Sequence, residues 1–461
     1  MSEWIGRRAF IKSSAVGLGS LVVAPPVWGS PANRVRIAVV GINGMGRNHI
    51  RAFAALPDVE VAALCDVDEN LFPAVIDDLV VKQGKPRPKT YTDLRRLYDD
   101  KEIDAVSIVT PNHWHTLAAL WAIQAGKHVT VEKPCCHNVH EGRLLAAAAK
   151  QAKVIVQDGA EQRSNPCAQS MAKFLADGGI GEVYLAKGLC YKWRKPIGRL
   201  QDESVPKGVH YDLWLGPAPE RPFNRNRFHY NWHWNWDYGN GDIGNQGVHE
   251  IDVARWGLGV KLPTRVHAAG GHFLFDDDQQ TPNALMAMFE FPNPNGASDK
   301  KKILQFEVRG WITNAEDPFF MPKRATPQTT GVGAGGYMAT NPENVVGNLF
   351  FGSKGYMAKD VAEWRAYLVE RREPGPTGRG EANHYAAFVN AIRDADPARF
   401  NANMDEAFYS CALIHLANIS YRLGRSLDFD PETLTFRGDA EANRMLTREY
   451  RAPYVLPTFG S

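Results

Sequence analysis

The chain has 461 residues, which is enough for two domains that each bury a core of their own. Its formal net charge is only +2, and this balance gives no sign of a nucleic-acid partner or of a partner with an acidic surface, so we expect neither. We find no internal repeat and no extended low-complexity tract, which argues against a repeat architecture.

The first residues predict an export signal. Arg7 and Arg8 precede Ala-Phe-Ile-Lys and a mildly apolar stretch over residues 15–24. Because that stretch is too short to span a bilayer, we expect residues 1–32 to be a twin-arginine signal peptide. The mature protein should then be periplasmic or otherwise exported, with no membrane span.

A strand, a Gly-rich turn and the start of a helix near Met45 follow one another over residues 36–46. Such a turn lets the backbone approach a pyrophosphate, and the helix start offers free N–H groups and a positive dipole end. The spacing departs from G-x-G-x-x-G, because Asn43 holds the second place, although Asn tolerates left-handed backbone angles. An ordinary strand-to-helix turn is the alternative. The residues expected to contact the cofactor are Gly41, Asn43, Gly44, Met45 and Gly46.

Asp66 comes at the end of the second expected strand, over residues 59–65. A carboxylate roughly 20 residues after the glycines suits the ribose hydroxyls of a dinucleotide. It would repel a 2′-phosphate, which favours NAD and makes NADP the less favoured cofactor. The alternative is an Asp that only starts a turn.

Polar residues also follow the next strands, over residues 105–109 and 128–131. Ligands in open parallel sheets bind beyond the carboxyl ends of the strands. We therefore expect these residues at the cofactor site: Thr110, Pro111, Asn112, His115, Glu132 and Lys133. The six cysteines show no metal-ligand spacing, so free thiols and no metal are expected.

The composition changes after residue 157. Longer alternating stretches, over residues 181–190, 264–269, 284–291 and 302–308, predict an open sheet that is mostly antiparallel and packs one face on helices. We expect an α/β protein with a doubly wound parallel sheet at residues 33–157 and an α/β substrate domain at 158–430. A C-terminal tail at residues 431–461 should pack on both domains. Pro-, Gly- and Thr-rich residues predict a loop at 322–348.

The run from 229 to 256 is rich in aromatic and polar residues. If extended, it would place Trp232, Trp234 and Trp236 on one face, where they could stack on a sugar; packing into the core is the alternative. Asn245 and His249 would share a helix face, and His249 could act as a general base near neutral pH. A structural hydrogen-bonding role is the alternative for this His.

Other residues of the same region receive simpler interpretations. Asp242, Glu250 and Asp252 are interpreted as a cap, a solvent-facing group and a packing group respectively. Arg163 is added to the expected substrate-binding residues.

Five pieces of the chain together resemble the Gfo/Idh/MocA family, that is, the glucose–fructose oxidoreductase and inositol dehydrogenase family. They are the turn at 41–46, Thr110-Pro-Asn112 with His115, Glu132-Lys-Pro134, Gly247-Val-His249 and residues 416–424. The resemblance implies a Rossmann domain followed by an α/β domain with a large open sheet. It also implies that Lys133 holds nicotinamide and the substrate hydroxyl, and that His249 accepts a proton.

Two departures from the family pattern bear on function. Asn43 replaces a Gly, and Asn245 stands where many dehydrogenases of the family carry Asp, which puts a simple polyol dehydrogenase of the inositol type in doubt. Exported glycosidases of the family (glycoside hydrolase family 109) carry a Tyr-Pro-Thr-His segment that is not found here.

These observations predict an NAD-dependent oxidoreductase that acts on a sugar or glycoside with a tightly bound nicotinamide. Lys133, His249 and Asn245 are its expected catalytic residues, and a homo-oligomer is the expected assembly. Redox-assisted glycoside cleavage and a carbohydrate-binding protein without turnover are the two alternatives.

Overall fold

The computed structural model describes residues 34–273, 275–292, 300–310, 345–369, 372–381, 383–396 and 402–459. The expected signal peptide and most of the expected loop at 322–348 lie outside these residues. The last four residues of that loop, 345–348, belong to a strand instead, because Val345 to Asn348 pair with the strand that ends at Tyr191.

The first part of the chain folds into a six-stranded parallel sheet with helices on both faces. Its strand order is β3-β2-β1-β4-β5-β6, the doubly wound arrangement expected of a Rossmann domain. The strands are β1 Val35–Val40, β2 Val59–Cys65, β3 Lys89–Tyr91, β4 Ala105–Ile108, β5 His128–Val131 and β6 Val156–Asp158. The helices of this part are α1 Met45–Ala54, α2 Phe72–Leu79, α3 Leu94–Asp99, α4 Asn112–Gln124 and α5 Val139–Gln151; α6, Pro166–Ala176, follows them and packs on the second part.

The register of this sheet aligns the carboxyl ends of its central strands. Val40, the last residue of β1, pairs with Cys65 on one side and with Ile108 on the other. Ile108 in turn pairs with Val131. The residues that follow these four strands therefore gather at one edge of the sheet.

The second part forms a ten-stranded sheet in which every neighbouring pair is antiparallel except β7 with β10. Its order is β14-β13-β12-β11-β7-β10-β9-β8-β15-β16. The strands are β7 Val183–Tyr191, β8 Arg265–Gly271, β9 Ala284–Pro292, β10 Lys301–Arg309, β11 Val345–Gly352, β12 Gly355–Lys359, β13 Glu363–Leu368, β14 Glu373–Arg379, β15 Leu427–Asp430 and β16 Thr435–Phe436.

One face of the large sheet is covered by helices, as the alternation of buried and exposed residues along β9 and β10 shows. The remaining helices are α7 Tyr211–Leu215, α8 Gly241–Asn245, α9 Gly247–Leu258, α10 His384–Asp394, α11 Met404–Leu423 and α12 Ala440–Arg444. None of the helices in the described ranges combines the length and the apolar character needed to cross a bilayer.

Helix α11 is the central packing element between the two parts, since it contacts α5 and α9. It begins after Asn403, whose side chain accepts the N–H of Glu406, and ends at Gly424 in the left-handed region. The C-terminal residues contact both parts as well, since β16 belongs to the ten-stranded sheet. Arg448 forms an ion pair with the buried Glu141 and donates to the carbonyl of His113.

Candidate active site

A cleft of about 720 Å³ lies at the carboxyl edge of the parallel sheet, and the second part of the chain forms its other wall. This volume is typical of sites for small molecules and cofactors. Most of the expected site residues line it: Gly41, Asn43, Gly44, Met45, Asp66, Thr110, Pro111, Asn112, His115, Glu132, Lys133, Trp232, Asn245 and His249.

The Gly-rich turn closes tightly on the neighbouring strand. Gly41 has φ of +85°, and a side-chain carbon there would lie 2.6 Å from the carbonyl oxygen of Val109, so only glycine fits. Helix α1 begins at Met45, which lines the cleft, so the positive end of the helix dipole lies at the cleft. Gly46 does not line the cleft; it lets α1 pack against the Gly41 carbonyl.

Asp66 is held at the end of β2 by backbone donors. Its two carboxylate oxygens accept the N–H groups of Ile42 (2.8 Å) and Asp68 (3.0 Å). Burial raises the pKa of Asp66 to about 6 against these hydrogen bonds, so the group is ionised at neutral pH. A fixed carboxylate beside the turn fits the ribose hydroxyls of a dinucleotide.

Two further features of this wall fit a bound cofactor. The Thr110 hydroxyl is buried and has no hydrogen-bond partner among the described residues, although Thr110 lines the cleft. The ring nitrogens of His115 lie 2.6 Å from the Thr110 carbonyl oxygen and 2.8 Å from that of Pro134. His115 therefore braces the two strand-end segments that flank the cleft.

Glu132 is a buried carboxylate that supports the neighbouring lysine. It lies 3.0 Å from the ring of His49 and accepts the backbone N–H of Lys133 at 3.1 Å. Burial alone would raise the pKa of Glu132, but the His49 hydrogen bond and the charge of Lys133 lower it to about 2. The group is therefore a fixed negative charge beneath Lys133.

The parallel-sheet part of the chain forms the first wall of the cleft, and the second part of the chain forms the second wall. Lys133 reaches from the first wall to the second. Its Nζ donates to the backbone carbonyl of Asn245 at 2.8 Å and lies 4.0 Å from the Glu132 carboxylate. The Lys133–Pro134 peptide bond is cis. The contacts with Asn245 and Glu132 fix the ammonium group inside the cleft, at the junction of the two parts of the chain.

His249 comes from the first turn of α9, and its ring makes no hydrogen bond within the described part of the chain. Burial, and then the charge of Lys133, lower the pKa of His249 to about 3. The imidazole is therefore neutral at physiological pH, the form that accepts a proton. Close packing sets its position: a side-chain carbon at Gly247 would lie 2.2 Å from the Phe306 ring.

Asn245 lines the cleft, but the contact that defines its position is made by its backbone. Its carbonyl accepts from Lys133, and no hydrogen bond joins its side chain to His249 in the described residues. The charged residues of α8 and α9 differ from the sequence interpretation: Asp242 pairs with Arg194, and Glu250 is buried rather than solvent-facing.

The structure corrects the prediction of an extended tryptophan face. Trp232 and Trp234 lie in a 3₁₀-helix, Asn231–Trp234, in which alternate residues do not share a face. Trp232 lines the cleft and stacks on His233, with ring centroids 3.6 Å apart. Trp234 is buried beneath Arg194, and Trp236 contacts Arg422, both away from the cleft lining.

Arg163 is also placed differently from the sequence prediction. Its guanidinium donates to both carboxylate oxygens of Asp252 (2.8 and 2.7 Å) and to Glu406 (3.0 Å). The side chain is buried and does not line the cleft. The sequence carried no signal of this, because the partner carboxylates are 89 and 243 positions away.

The cleft contains further polar residues that the sequence interpretation did not assign to it. His229 lies 3.0 Å from the Asn43 side chain and so joins the second wall to the Gly-rich turn. Burial, together with the charge of Glu132, raises the pKa of Glu161 to about 7. Further additions include Lys192, which follows β7, Glu250 in α9, and Lys359 at the end of β12.

The six cysteines are free and buried. The sulfur atoms of Cys135, Cys136 and Cys411 lie within 4.8 Å of one another. The expectation of no metal stays a prediction.

Comparison with known proteins agrees with this geometry. The model described as "Oxidoreductase family, NAD-binding Rossmann fold" matches residues 35–160. The model described as "Oxidoreductase family, C-terminal alpha/beta domain" matches residues 175–288 and 357–456. Fold and site thus define an NAD-binding oxidoreductase. The chain belongs to the Gfo/Idh/MocA family.

Curated relatives match only part of the chain. A glycosyl hydrolase family 109 protein of Stenotrophomonas maltophilia (strain K279a) is 39% identical over 133 residues, or 27% of this chain and 29% of that protein. One of Shewanella pealeana (strain ATCC 700345 / ANG-SQ1) is 37% identical over 114 residues, 23% of this chain and 24% of that protein. The match therefore spans less than a third of these relatives.

Solved structures match over most of the chain at low identity. Levoglucosan dehydrogenase in complex with NADH and levoglucosan has a TM-score of 0.62 at 17% identity, covering 86% of this chain and 99% of that one. The WlbA dehydrogenase of Bordetella pertussis, in complex with NADH and UDP-GlcNAcA, has a TM-score of 0.58 at 18% identity and covers 86% and 99%. At these identities the likeness shows the fold.

Proposed function

We propose that this protein oxidises a hydroxyl group of a sugar or glycoside, with NAD held tightly in the cleft. The observation that carries the proposal is the meeting of Lys133 and His249 in one cleft, from different parts of the chain. NAD, when bound, supplies the hydride acceptor. The aromatic ring of Trp232 in the same cleft supports a carbohydrate as the substrate.

The chain's own residues then have separate roles in the proposed reaction. The Lys133 ammonium, fixed by the Asn245 carbonyl, donates to the reacting hydroxyl oxygen and orients it. His249 is neutral because of its low pKa, about 3, and takes the hydroxyl proton. The Glu132 carboxylate, 4.0 Å from the Lys133 ammonium, stabilises its positive charge. The walls exclude water and align the carbinol carbon.

Export through the twin-arginine route is part of the same proposal. The Arg7-Arg8 pattern supports it, and a cofactor loaded before export would have to stay bound outside the cytoplasm. We therefore expect purified protein to contain NAD(H) without its being added. The measurement is nucleotide released on denaturation, by chromatography; less than about a tenth per chain would contradict tight binding.

The test of the reaction is a panel of sugars and glycosides, followed by mass spectrometry and by nicotinamide absorbance. His249→Ala should lower turnover about 10²-fold or more, as expected for a general base, while the NAD(H) content stays unchanged. The exposed His272→Ala serves as the control. Near-full activity of His249→Ala would show that another group takes the proton.

Redox-assisted glycoside cleavage is a second candidate, supported by two carboxylic acids in the cleft. The pKa values of Glu161 and Glu250, about 7 and about 8, leave each able to carry a proton at neutral pH. Oxidation of one ring hydroxyl acidifies the neighbouring C–H, so the aglycone could leave by elimination and accept such a proton. The curated relatives named as glycosyl hydrolases also favour it.

Release of free aglycone distinguishes this candidate from simple oxidation. Cleavage should continue with the bound cofactor alone and should incorporate solvent deuterium next to the oxidised carbon. A yield that stops near one product per chain without added NAD would contradict a closed cycle and would leave an ordinary dehydrogenase.

A further inference from the structure

A side chain of the second wall, that of His229, contacts the Gly-rich turn of the first wall. The Nδ1 atom of His229 lies 3.0 Å from the side-chain nitrogen of Asn43, and its Nε2 atom lies 3.3 Å from an oxygen of the Asp68 carboxylate. His229 and Asn43 both line the cleft. The imidazole therefore spans the gap between the two walls at the turn that fits the cofactor.

One neutral form of the His229 ring suits both neighbours. The amide N–H of Asn43 donates to Nδ1, so the ring proton lies on Nε2, the nitrogen that faces the Asp68 carboxylate. Burial lowers the pKa of His229, which favours this neutral form. The contact between the walls is therefore made by the ordinary form of the side chain at neutral pH.

The position of the His229 ring is fixed by the residues behind it. The ring packs on that of Phe228, with centroids 4.2 Å apart, and Phe228 is buried in a cluster of aromatic side chains that includes Trp214. The backbone at His229 has φ of +52°, a left-handed conformation that is uncommon outside glycine. Such a conformation persists where the surrounding structure determines it, so the fold sets where the imidazole lies.

Backbone contacts join the two parts of the chain near the same place, at the end of β2. The N–H of His210 donates to the Val67 carbonyl at 2.8 Å, and Val209 pairs with Asp68 in an isolated β-bridge. These backbone bonds hold the two walls together beside the β2 end. At the Gly-rich turn the contact is made by the His229 side chain, which can rotate away without breaking them.

We propose that His229, Asn43 and Asp68 form a clasp that closes the cleft over the Gly-rich turn and slows the release of NAD. This inference rests on the proposed function, in which NAD is held tightly. Loss of the clasp raises the fraction of molecules in which this edge of the cleft is open. Release of the cofactor through that edge then becomes faster.

The clasp also gives a reason for the unusual spacing of the Gly-rich turn. A glycine at position 43 would serve the turn, but it has no side chain that could bind His229. Asp68 has a second link to the cofactor site, because its backbone N–H donates to the Asp66 carboxylate at 3.0 Å. The clasp is therefore connected to both groups of the first wall that fit a dinucleotide.

The experiment measures how fast the full chain exchanges its bound cofactor. Protein loaded with NAD is mixed with an excess of isotopically labelled NAD, and the bound nucleotide is identified by mass spectrometry at intervals. His229→Ala should exchange about 10-fold faster than the wild type, as expected when one or two hydrogen bonds are lost. Asn43→Gly removes one contact and keeps the turn, so exchange should be about 3–10-fold faster.

His210→Ala is the matched control for the clasp. The His210 ring also joins the two parts, since it lies 2.6 Å from the Glu69 carboxylate, and the side chains of His210 and His229 are both 42% exposed. Because His210 does not line the cleft, its substitution should leave the exchange rate within about 2-fold of the wild-type value.

The double variant His229→Ala/Asn43→Gly separates a clasp from general damage to the fold. Since both substitutions break the same contact, the double variant should exchange no faster than His229→Ala alone, within about 2-fold, whereas independent effects would multiply. Thermal unfolding shows which variants are folded, and Asn43→Gly decides the question by itself if His229→Ala does not fold.

Several outcomes would overturn the clasp. They are an unchanged exchange rate in His229→Ala and Asn43→Gly, an acceleration in His210→Ala as large as in His229→Ala, and effects that multiply in the double variant. The proposed oxidation fails separately, because exchange is measured without a sugar. Faster exchange in the two clasp variants, together with no turnover on any sugar, would contradict the oxidation and leave the clasp in place.

Discussion

The two walls of the cleft are built in different ways. The first wall uses backbone geometry and residues close in sequence: a glycine turn, one carboxylate at the end of β2, and Glu132 with Lys133 after β5. The second wall uses side chains from distant elements, such as Lys192 and Lys359, which only the order of the large sheet brings together. The first wall is therefore suited to a constant cofactor, and the second to a particular substrate.

Lys133 extends from the first wall and contacts the second wall through the Asn245 carbonyl. Lys133→Ala should reduce turnover by about 10²–10⁴-fold, the range for general acid–base and positioning groups. The NAD(H) content should remain, because the Gly-rich turn and Asp66 are untouched. Steady-state kinetics with cofactor analysis measures both, and Lys127→Ala, at a buried lysine outside the cleft, is the matched control. Loss of the cofactor together with activity would mean that Lys133 belongs to the first wall alone.

Substitution of Arg163 tests whether this residue supports the second wall or contacts the substrate. Its buried ion pair with Asp252 would be broken by Arg163→Met, which should cost about 3–5 kcal/mol of stability because a carboxylate is left without its partner. KM should stay unchanged in the folded fraction. Thermal unfolding and kinetics check this together, and a raised KM at unchanged stability would restore the substrate-binding role.

The difference between the walls also explains how much the sequence could predict. The Rossmann domain, Asp66 and the pair Glu132–Lys133 follow from strand patterns and short spacings, because parallel strands must end at one edge. The prediction of a tryptophan face was wrong, because it assumed an extended segment where the chain forms helical turns. Lys192 and Lys359 could not be found from local patterns, since their placement depends on pairing between strands far apart in sequence.

The pH dependence of stability that arises from Glu250 provides a test of the electrostatics of the second wall. Its pKa is about 8 in the folded state against an ordinary value of 4.5, so the folded protein holds the proton more tightly than the unfolded chain. This contribution to stability is full below about pH 4.5 and is lost as the pH rises to about 8.

Glu250→Gln should therefore flatten the fall in stability between pH 5 and pH 8, with a gain over the wild type of a few kcal/mol at most at pH 9. Thermal unfolding at pH 5, 7 and 9 measures it, with the exposed Glu220→Gln as control. An unchanged pH profile would mean that Glu250 is already ionised in the folded protein, because the charges of Lys192 and Lys359 lower its pKa enough to offset burial.

The smallest effect is expected at Asn245, where the walls touch. Lys133 is anchored by the backbone carbonyl of Asn245, and replacement of the side chain leaves that acceptor in place. Asn245→Ala should therefore lower kcat by less than ~10-fold, far less than loss of a proton acceptor or positioning group would. Asn245→Asp adds a negative charge near Lys133 and His249, and this charge should raise the pKa of His249. NMR titration of the ring would detect the change. A loss in Asn245→Ala as large as that in Lys133→Ala would show that the amide itself takes part in catalysis, and that the junction of the two walls depends on a side chain as well as on the backbone.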